Sequence, residues 1–142
     1  MKIKFKKLHP DSQLPAFKSA DAACADVYAT KDEVVPKGVT RVIKSGLAAE
    51  IPQGHSFIIR GRSGLSVNHN YHVKTGIVDA DYRGDIGVII SNPDQWDDLK
   101  IKKGERIGQI MLTPCLQFEP EEADALNETE RGSGGFGHTG RF

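Results

Sequence analysis

Short runs of apolar residues alternate with polar positions along most of this chain. Ile3 and Phe5 alternate with lysines at the N-terminus, and Ile86, Val88 and Ile90 alternate in the same way near the middle. Residues two apart on a strand share a face, so this pattern indicates half-buried strands. Turn residues recur about every eight to twelve positions, and no segment keeps a helical period. The pattern predicts an all-β sandwich or barrel with at most one short helix.

Two segments carry the signature of a hairpin. Pro36, Lys37 and Gly38 lie between β-branched runs and predict a hairpin over residues 33–43. The stretch TGIVDADYRGD, residues 75–85, predicts strand, turn and strand, and continued extension would place Asp79 and Asp81 on one face. That second turn is either a functional site or only a polar hairpin tip.

Composition narrows the classes of protein that the chain can represent. A length of 142 residues fits one domain, and 19 basic residues offset 19 acidic ones. Binding to nucleic acid through phosphates usually needs a basic excess, so we expect no nucleic-acid partner. We see no signal-peptide or membrane-span pattern, and Cys24 and Cys115 are expected to be free thiols in a reducing compartment. The chain is therefore predicted to be soluble and cytoplasmic, with no membrane association.

Several polar residues are candidates for chemistry. Arg60 and Arg62, followed by Ser63 and Gly64, could bind phosphate oxygens, or the arginines could be ordinary surface residues with Ser63 capping a short helix. Gln109 has the parity of core positions, so its amide should bond backbone or reach into a cleft.

Three further residues or segments receive structural interpretations. Asp26, among small apolar residues, is predicted at a turn or strand end, where it would bond backbone amides. Trp96, in the loop 92–98, is predicted to be a hydrophobic anchor. The acidic and then glycine-rich residues 119–142 are either a mobile tail or a lid that folds over a ligand.

Five segments, in this order, resemble the five motifs of the trimeric deoxyuridine triphosphatase (dUTPase) family. They are AACADVYA (22–29), GRSGLS (61–66), TGIVDADYRGD (75–85), KKGERIGQI (102–110) and RGSGGFGHTG (131–140). The resemblance implies a jelly-roll-like β-barrel or sandwich core over residues 1–118. It also implies that residues 119–142 form an acidic linker and a flexible arm that closes a neighbouring subunit's site in a homotrimer.

The resemblance further implies hydrolysis of dUTP to dUMP and pyrophosphate with Mg²⁺, which limits uracil in DNA and supplies dUMP for thymidylate synthesis. Asp79 would be the base that activates water for attack on the α-phosphorus, and Tyr82 would exclude a 2′-hydroxyl. Asp26 would hold waters on a magnesium ion that the phosphates bind, with no direct protein ligand. The remaining substrate contacts would be Arg62, Ser63, Gly64, Lys74, Thr75, Gly76, Ile77, Gln109, Arg131, Phe136, Gly137, His138 and Thr139.

The chain departs from the family motifs at a few positions. Cys24 and Ala25 replace a glycine and an aromatic residue, Gly61 replaces a proline, and Glu105 replaces an aspartate. His138 replaces a serine beside the expected γ-phosphate. We therefore expect triphosphate affinity to rise below about pH 6.5, where histidine gains charge.

Two other functions compete with that of a dUTPase. The related dCTP deaminases carry a catalytic glutamate on the strand after the third motif, where this chain has Ile89, so deamination is disfavoured. Alternatively the chain could bind nucleotide and act through a regulatory protein partner, as is plausible for a phage-encoded member located in the host cytoplasm. Trp96 and its acidic neighbours would then be the first candidates for the contact.

Overall fold

A computed structural model describes residues 1–68 and 72–135 of the chain. Within these residues the structure is built almost entirely from short strands. The strands are β1 (Lys4–Lys7), β2 (Ala25–Tyr28), β3 (Glu33–Val35), β4 (Thr40–Lys44), β5 (Leu47–Glu50), β6 (His55–Arg60), β7 (His72–Val73), β8 (Gly76–Val78), β9 (Gly87–Ser91), β10 (Leu99–Ile101) and β11 (Arg106–Pro114), and the helix is α1 (Ser63–Asn68). The predicted all-β class with one short helix is confirmed.

The strands form four antiparallel sheets whose neighbours are mostly distant in sequence. One sheet has the order β2-β11-β6-β8 and a second has the order β4-β9-β7. Two further pairs join β1 with β5 and β10 with β3. β11, with nine residues, is the longest strand in the described part of the chain, and it pairs with both β2 and β6. The first and fourth motifs are therefore adjacent, because β2 and β11 carry them.

The core follows the alternation seen in the sequence. On β9, Val88 and Ile90 are fully buried, whereas Gly87, Ile89 and Ser91 are partly exposed. The buried side chains join a cluster of aliphatic residues from most of the strands. Burial of this apolar surface is the main favourable contribution to folding.

The prediction of a hairpin over residues 33–43 is wrong, although the predicted turn is present. The Val39 N–H donates to the Pro36 carbonyl at 3.0 Å, and Gly38 has a φ of 71°. The flanking strands nevertheless separate, because β3 pairs with β10 and β4 pairs with β9. A β-branched run fits any pleated neighbour, so long-range packing chooses the partner.

The strand, turn and strand of residues 75–90 also do not form a simple hairpin. β8 pairs with β6, whereas β9 pairs with β4 and β7. β8 ends at Val78, and the Tyr82 N–H donates to the Asp79 carbonyl at 3.2 Å, which closes a turn. Extension therefore stops before Asp79, so the condition for Asp79 and Asp81 to share a strand face is not met, although both residues line one larger cleft.

The loop between β9 and β10 is organised by Asn92 and not by the tryptophan. Trp96 is 82% exposed, so its predicted role as a hydrophobic anchor is wrong. Asn92 is buried, and its side-chain amide donates to the carbonyls of Val35 at 3.0 Å and Asp97 at 2.9 Å. An amide can satisfy several loop carbonyls at once, which an indole cannot.

Beyond β11, the described chain makes no further strand. Every residue from Pro114 to Ser133 is exposed, including the apolar residues Leu116, Phe118 and Leu126. The predicted boundary between a core ending at residue 118 and an arm stays a prediction. No helix in the described part of the chain is long and apolar enough to cross a membrane.

Candidate functional site

The third motif lies at a fork between two sheets. β7 pairs with β9 through His72 with Ser91 and Val73 with Ile90, and the Lys74 N–H donates to the Ile89 carbonyl at 2.9 Å. At Gly76 the chain leaves β9, and β8 joins β6 instead. The strands on either side of this division diverge and leave a cleft of about 250 Å³ between them.

We call this opening the fork cleft. It is lined by Val42, Lys44, Ile59, Gly76, Ile77, Val78, Asp79, Tyr82, Asp85, Ile86, Gly87 and Ile89. In the described structure β8 is one of the two edge strands of its sheet, so the backbone groups on its outer side have no sheet partner. Gly76 and Ile77 line the cleft as the sequence suggested, whereas Lys74 and Thr75 are exposed and do not line it. The cleft combines apolar walls with free backbone donors and acceptors.

Tyr82 forms one wall of the fork cleft. Its hydroxyl donates to the Asp85 carbonyl at 3.2 Å, and its ring lies against Gly84. A Cβ on Gly84 would overlap the Tyr82 ring, so only glycine permits this position of the ring. Because Tyr82 is 44% exposed, part of its side chain is accessible to a ligand.

Asp79 follows β8 directly and lies between two openings. Its exposed side chain lines the fork cleft and also a larger cleft of about 750 Å³. Arg83 stabilises the turn, since its guanidinium donates to the carbonyls of Ala80 at 2.6 Å, Tyr82 at 3.1 Å and Ala49 at 3.5 Å. The turn is thereby tied to β5, and the Asp79 carboxylate is held where both ligand and water can reach it.

The first, second and fourth motifs meet in a second cleft of about 240 Å³, which we call the basic cleft. It is lined by Lys18, Ala22, Cys24, Asp26, Arg62, Ser63, Gly64, Arg106 and Gln109. The predicted grouping of Asp26, Arg62, Ser63, Gly64 and Gln109 is therefore found in the structure. Arg60 is exposed at the end of β6 and does not line the cleft.

Asp26 is the carboxylate around which the basic cleft is built. It is 6% exposed, lies within β2 and accepts from Arg62 Nε and from an Arg106 terminal nitrogen, each at 3.1 Å. The prediction of a turn or strand-end residue that bonds backbone amides is wrong. A buried carboxylate needs cationic partners, and here one carboxylate orients two guanidinium groups.

Ser63 and Gln109 retain hydrogen-bonding capacity in the basic cleft. α1 begins at Ser63, and the preceding Arg62 carbonyl accepts the N–H groups of Leu65 and Ser66, both at 3.1 Å. Ser63 is thus the first helical residue and not its cap. The Gln109 side-chain nitrogen donates to the Gly61 carbonyl at 2.8 Å, which leaves its second N–H for a ligand.

Sequence patterns missed Arg106 and Lys18 as residues of the basic cleft. The pairing of β11 with β2 shifts register between Arg106 and Gly108, so residues on the two sides of the shift no longer alternate simply. A glycine inside a strand is the available signal for such a bulge. A Cβ on Gly108 would lie 3.1 Å from Val88 Cγ1 and 3.2 Å from the Arg60 carbonyl oxygen.

The predicted contacts of the fifth motif are only partly described. Arg131 is exposed in the arm, where its Nε donates to the Gly134 carbonyl at 2.8 Å, and it lines neither cleft. The predicted contacts at Phe136, Gly137, His138 and Thr139 lie outside the described residues. Within the described chain, the fork cleft and the basic cleft share no lining residue.

An edge-strand cleft with apolar walls and a separate basic cleft can together bind a base and its phosphates, as a nucleotide-binding β protein does. The family model described as dUTPase matches residues 11–140, so the chain belongs to the dUTPase family.

Curated relatives and solved structures agree with this assignment. The chain is 41% identical to a deoxyuridine 5′-triphosphate nucleotidohydrolase of Nautilia profundicola, over 99% of this chain and 100% of that one. It is 42% identical to the enzyme of the same name from Syntrophotalea carbinolica, over 97% and 96%. The structure superposes on the dUTPase of Staphylococcus bacteriophage 80alpha with dUpNHpp at a TM-score of 0.93, with 26% identity over 98% of each chain. The expected jelly-roll-like fold is confirmed.

Proposed function

We propose that this chain is a dUTP diphosphatase that hydrolyses dUTP to dUMP and pyrophosphate. The observation that carries the proposal is the placement of Asp79, which borders an edge-strand cleft suited to a base and is open to water. The basic cleft supplies the guanidinium groups that a polyphosphate needs. Membership of the family supports the substrate, because the curated relatives carry the corresponding enzyme name.

The reaction needs a positioned water and neutralised phosphate charge more than covalent chemistry. Asp79 takes a proton from a water molecule as the water oxygen bonds to the α-phosphorus. The bond between the α-phosphorus and its bridging oxygen breaks, and pyrophosphate leaves with the electron pair. Arg62, Ser63 and the free N–H of Gln109 bind phosphate oxygens, since all three lie in one cleft.

The fork cleft would select uracil and deoxyribose. The outer backbone edge of β8, at Gly76 and Ile77, pairs with the uracil edge, and cytosine is rejected because its donor and acceptor are exchanged there. The small volume of the fork cleft, about 250 Å³, would exclude the thymine methyl group by steric overlap. Tyr82 packs against the sugar, where a 2′-hydroxyl would meet its ring.

Magnesium would enter with the triphosphate. In the described residues, no group of three His, Cys, Asp or Glu side chains could hold a metal ion. Asp26 is the carboxylate of the basic cleft, and each of its oxygens accepts one guanidinium N–H and keeps a lone pair for a water. Mg²⁺ retains several waters, so this donor set fits a hydrated ion bound mainly by phosphates. The ion would neutralise phosphate charge.

The active form would be a homotrimer with shared sites. The two clefts of one chain share no lining residue, which fits a site assembled from parts of more than one subunit. Leu116, Phe118 and Leu126 on the arm are each at least 85% exposed, which favours their burial against another subunit. The fifth-motif residues, Arg131, Phe136, Gly137, His138 and Thr139, would then reach a neighbour's phosphates and base.

Deamination of dCTP is disfavoured by the chemistry of the fork cleft. Ile89, at the position where the related deaminases carry a catalytic glutamate, is an aliphatic wall of this cleft. An aliphatic side chain cannot activate water for attack on the pyrimidine ring. Asp79, the carboxylate just after β8, remains as the base of the diphosphatase reaction.

The test is pyrophosphate release with Mg²⁺ from dUTP, dTTP, dCTP and UTP offered separately. We expect release from dUTP alone, and we expect Asp79→Asn to lower kcat by about 10²–10⁴-fold because the base is lost. Asp81→Asn is the matched control, since Asp81 lines only the larger cleft and not the fork cleft. An Asp79→Asn variant as active as Asp81→Asn would refute the assigned base.

A regulatory partner is a separate proposal that rests on the surface at Trp96. Its indole is 82% exposed in a loop fixed by hydrogen bonds, which is unusual for the single tryptophan of a chain. If the wild-type chain binds dUTP but releases no pyrophosphate from any nucleotide, this regulatory function replaces the enzymatic one. A cytoplasmic location stays a prediction.

A further inference from the structure

Lys18 lies in the basic cleft with Arg62 and Arg106, although no motif includes it. Its Nζ lies 5.5 Å from the centroid of the Tyr28 ring, within the range of a cation–π interaction. Tyr28 is on β2, two residues from Asp26, and is the pairing partner of Arg106 on β11. The Tyr28 ring therefore holds the Lys18 ammonium group in the same cleft as Arg62 and Arg106, the two arginines that Asp26 orients.

The basic cleft carries more positive charge than its own carboxylate can offset. Lys18, Arg62 and Arg106 give three positive charges, and Asp26 gives one negative charge. Asp26 already accepts from both arginines, and no described carboxylate lies within 4.0 Å of the Lys18 Nζ. A local excess of two positive charges, on a chain with net charge of zero, favours a polyanionic ligand.

We propose that Lys18 is an additional phosphate-binding residue that recognises the pyrophosphate end of the substrate. This inference rests on the proposed function and adds a specificity contact to it. Lys18 is exposed, whereas the Arg62 side chain is only 24% exposed, so the lysine meets the part of the triphosphate nearer to solvent. Its flexible ammonium group follows a mobile terminal phosphate more easily than a fixed guanidinium does.

The proposal can be tested with Lys18→Met, which keeps an unbranched stem over Tyr28 and removes the charge. Lys100→Met is the matched control, because Lys100 is exposed on β10 and lines neither cleft. The measurements are KM and kcat for dUTP, and calorimetric affinities for inorganic pyrophosphate and for dUMP. Each is made at about 0.02 M and 0.2 M ionic strength, where screening differs strongly.

We expect Lys18→Met to raise KM for dUTP and Kd for pyrophosphate about three- to tenfold at low ionic strength. The increases should shrink at the higher ionic strength, and Kd for dUMP should change less. Lys18→Arg should restore most of the pyrophosphate affinity, since it restores the charge. Lys100→Met should match the wild-type chain in every measurement.

Two results would overturn the inference. One is a Lys18→Met variant that matches Lys100→Met in both KM and pyrophosphate affinity. The other is an equal loss of dUMP and pyrophosphate affinity, which would mean that Lys18 only supports the packing around Tyr28. A wild-type chain that does not hydrolyse dUTP would refute the proposed function instead, and pyrophosphate binding would still decide the role of Lys18.

Discussion

Individual residues in the third motif form hydrogen bonds that fix the shape of the turn after Asp79. The Arg83 guanidinium ties the turn after Asp79 to β5, and the Tyr82 hydroxyl bonds the Asp85 carbonyl. Gly84 is needed because the Tyr82 ring occupies the space where a Cβ would be. The motif therefore specifies a turn with a fixed shape in addition to its chemical groups.

Gly84→Ala tests whether this turn sets sugar selectivity. We expect the added methyl to displace the exposed Tyr82 ring and to lower the preference for dUTP over UTP by about tenfold, with a small effect on stability. The measurement is kcat/KM for both nucleotides together with thermal unfolding.

Tyr82→Phe is the control for Gly84→Ala, because it keeps the ring that a 2′-hydroxyl would meet. Its preference for dUTP should stay near that of the wild-type chain. An unchanged preference in a folded Gly84→Ala variant would show that the position of the ring does not set selectivity.

At the scale of single elements, strand edges and a register shift determine where the polar groups of the two clefts lie. β8 offers its outer backbone because it is an edge strand, and the register shift in β11 brings Arg106 to Asp26. The loop between β9 and β10 is fixed by side-chain hydrogen bonds to its backbone. Asp94 accepts the backbone N–H groups of Trp96 at 2.8 Å and Asp97 at 3.2 Å.

The loop between β9 and β10 should open at acid pH, when Asp94 is protonated. The N–H groups of Trp96 and then Asp97 favour the charged carboxylate and hold the pKa of Asp94 below its ordinary value of 3.8. A lowered folded pKa contributes stability that is present above 3.8 and is lost as the pH falls through the folded value. We expect Trp96 fluorescence to change below pH 3.8 as the loop opens.

Asp94→Asn isolates this effect, because the loop then lacks the titrating group. Its fluorescence should show no separate change in that pH range before global unfolding, which far-ultraviolet circular dichroism follows in parallel. Asp11→Asn is a suitable control, since the pKa of Asp11 is lowered by Lys103, outside this loop. Identical acid profiles for Asp94→Asn and the wild-type chain would contradict the assignment.

At the scale of the whole molecule, the fork cleft and the basic cleft are separate openings that share no lining residue. Neither the fork cleft nor the basic cleft contains both a base-binding edge and a cluster of cations. The arm that follows β11 exposes apolar residues that a single chain leaves uncovered. Assembly would bring the parts of the site together and cover this surface.

Deletion of residues 131–142 separates assembly from catalysis. We expect the truncated chain to remain a trimer, because Leu116, Phe118 and Leu126 are retained. We expect kcat/KM for dUTP to fall about 10²-fold or more, since donors to the phosphates are lost. Light scattering should report three times the mass of the truncated chain, which is smaller than the 15.5 kDa of the full chain.

Removal of residues 141–142 alone is the control, because these residues lie beyond the fifth motif. This variant should keep both its trimeric state and its activity. A truncation at residue 131 that yields monomers would refute the assignment of the trimer contacts to the preceding part of the arm.

The sequence alone determined the strand class, the alternation of the core and the identity of several residues in the clefts. Val88 and Ile90 were predictable because burial of alternate side chains is a local property of a strand. Asp79, Tyr82, Arg62, Ser63 and Gln109 were predictable because the order of the motifs carries them. The turns at Gly38 and after Val78 were also visible locally, although their consequences were not.

Only the tertiary structure decided which strands pair and therefore what each polar residue contacts. Both predicted hairpins failed because β3 and β8 pair with strands far from them along the chain, which alternation cannot specify. The predictions for Asp26 and Trp96 were wrong for the same reason. Burial beside two arginines, or exposure above a fixed loop, depends on how the sheets pack, and the packing of sheets is a property of the whole chain.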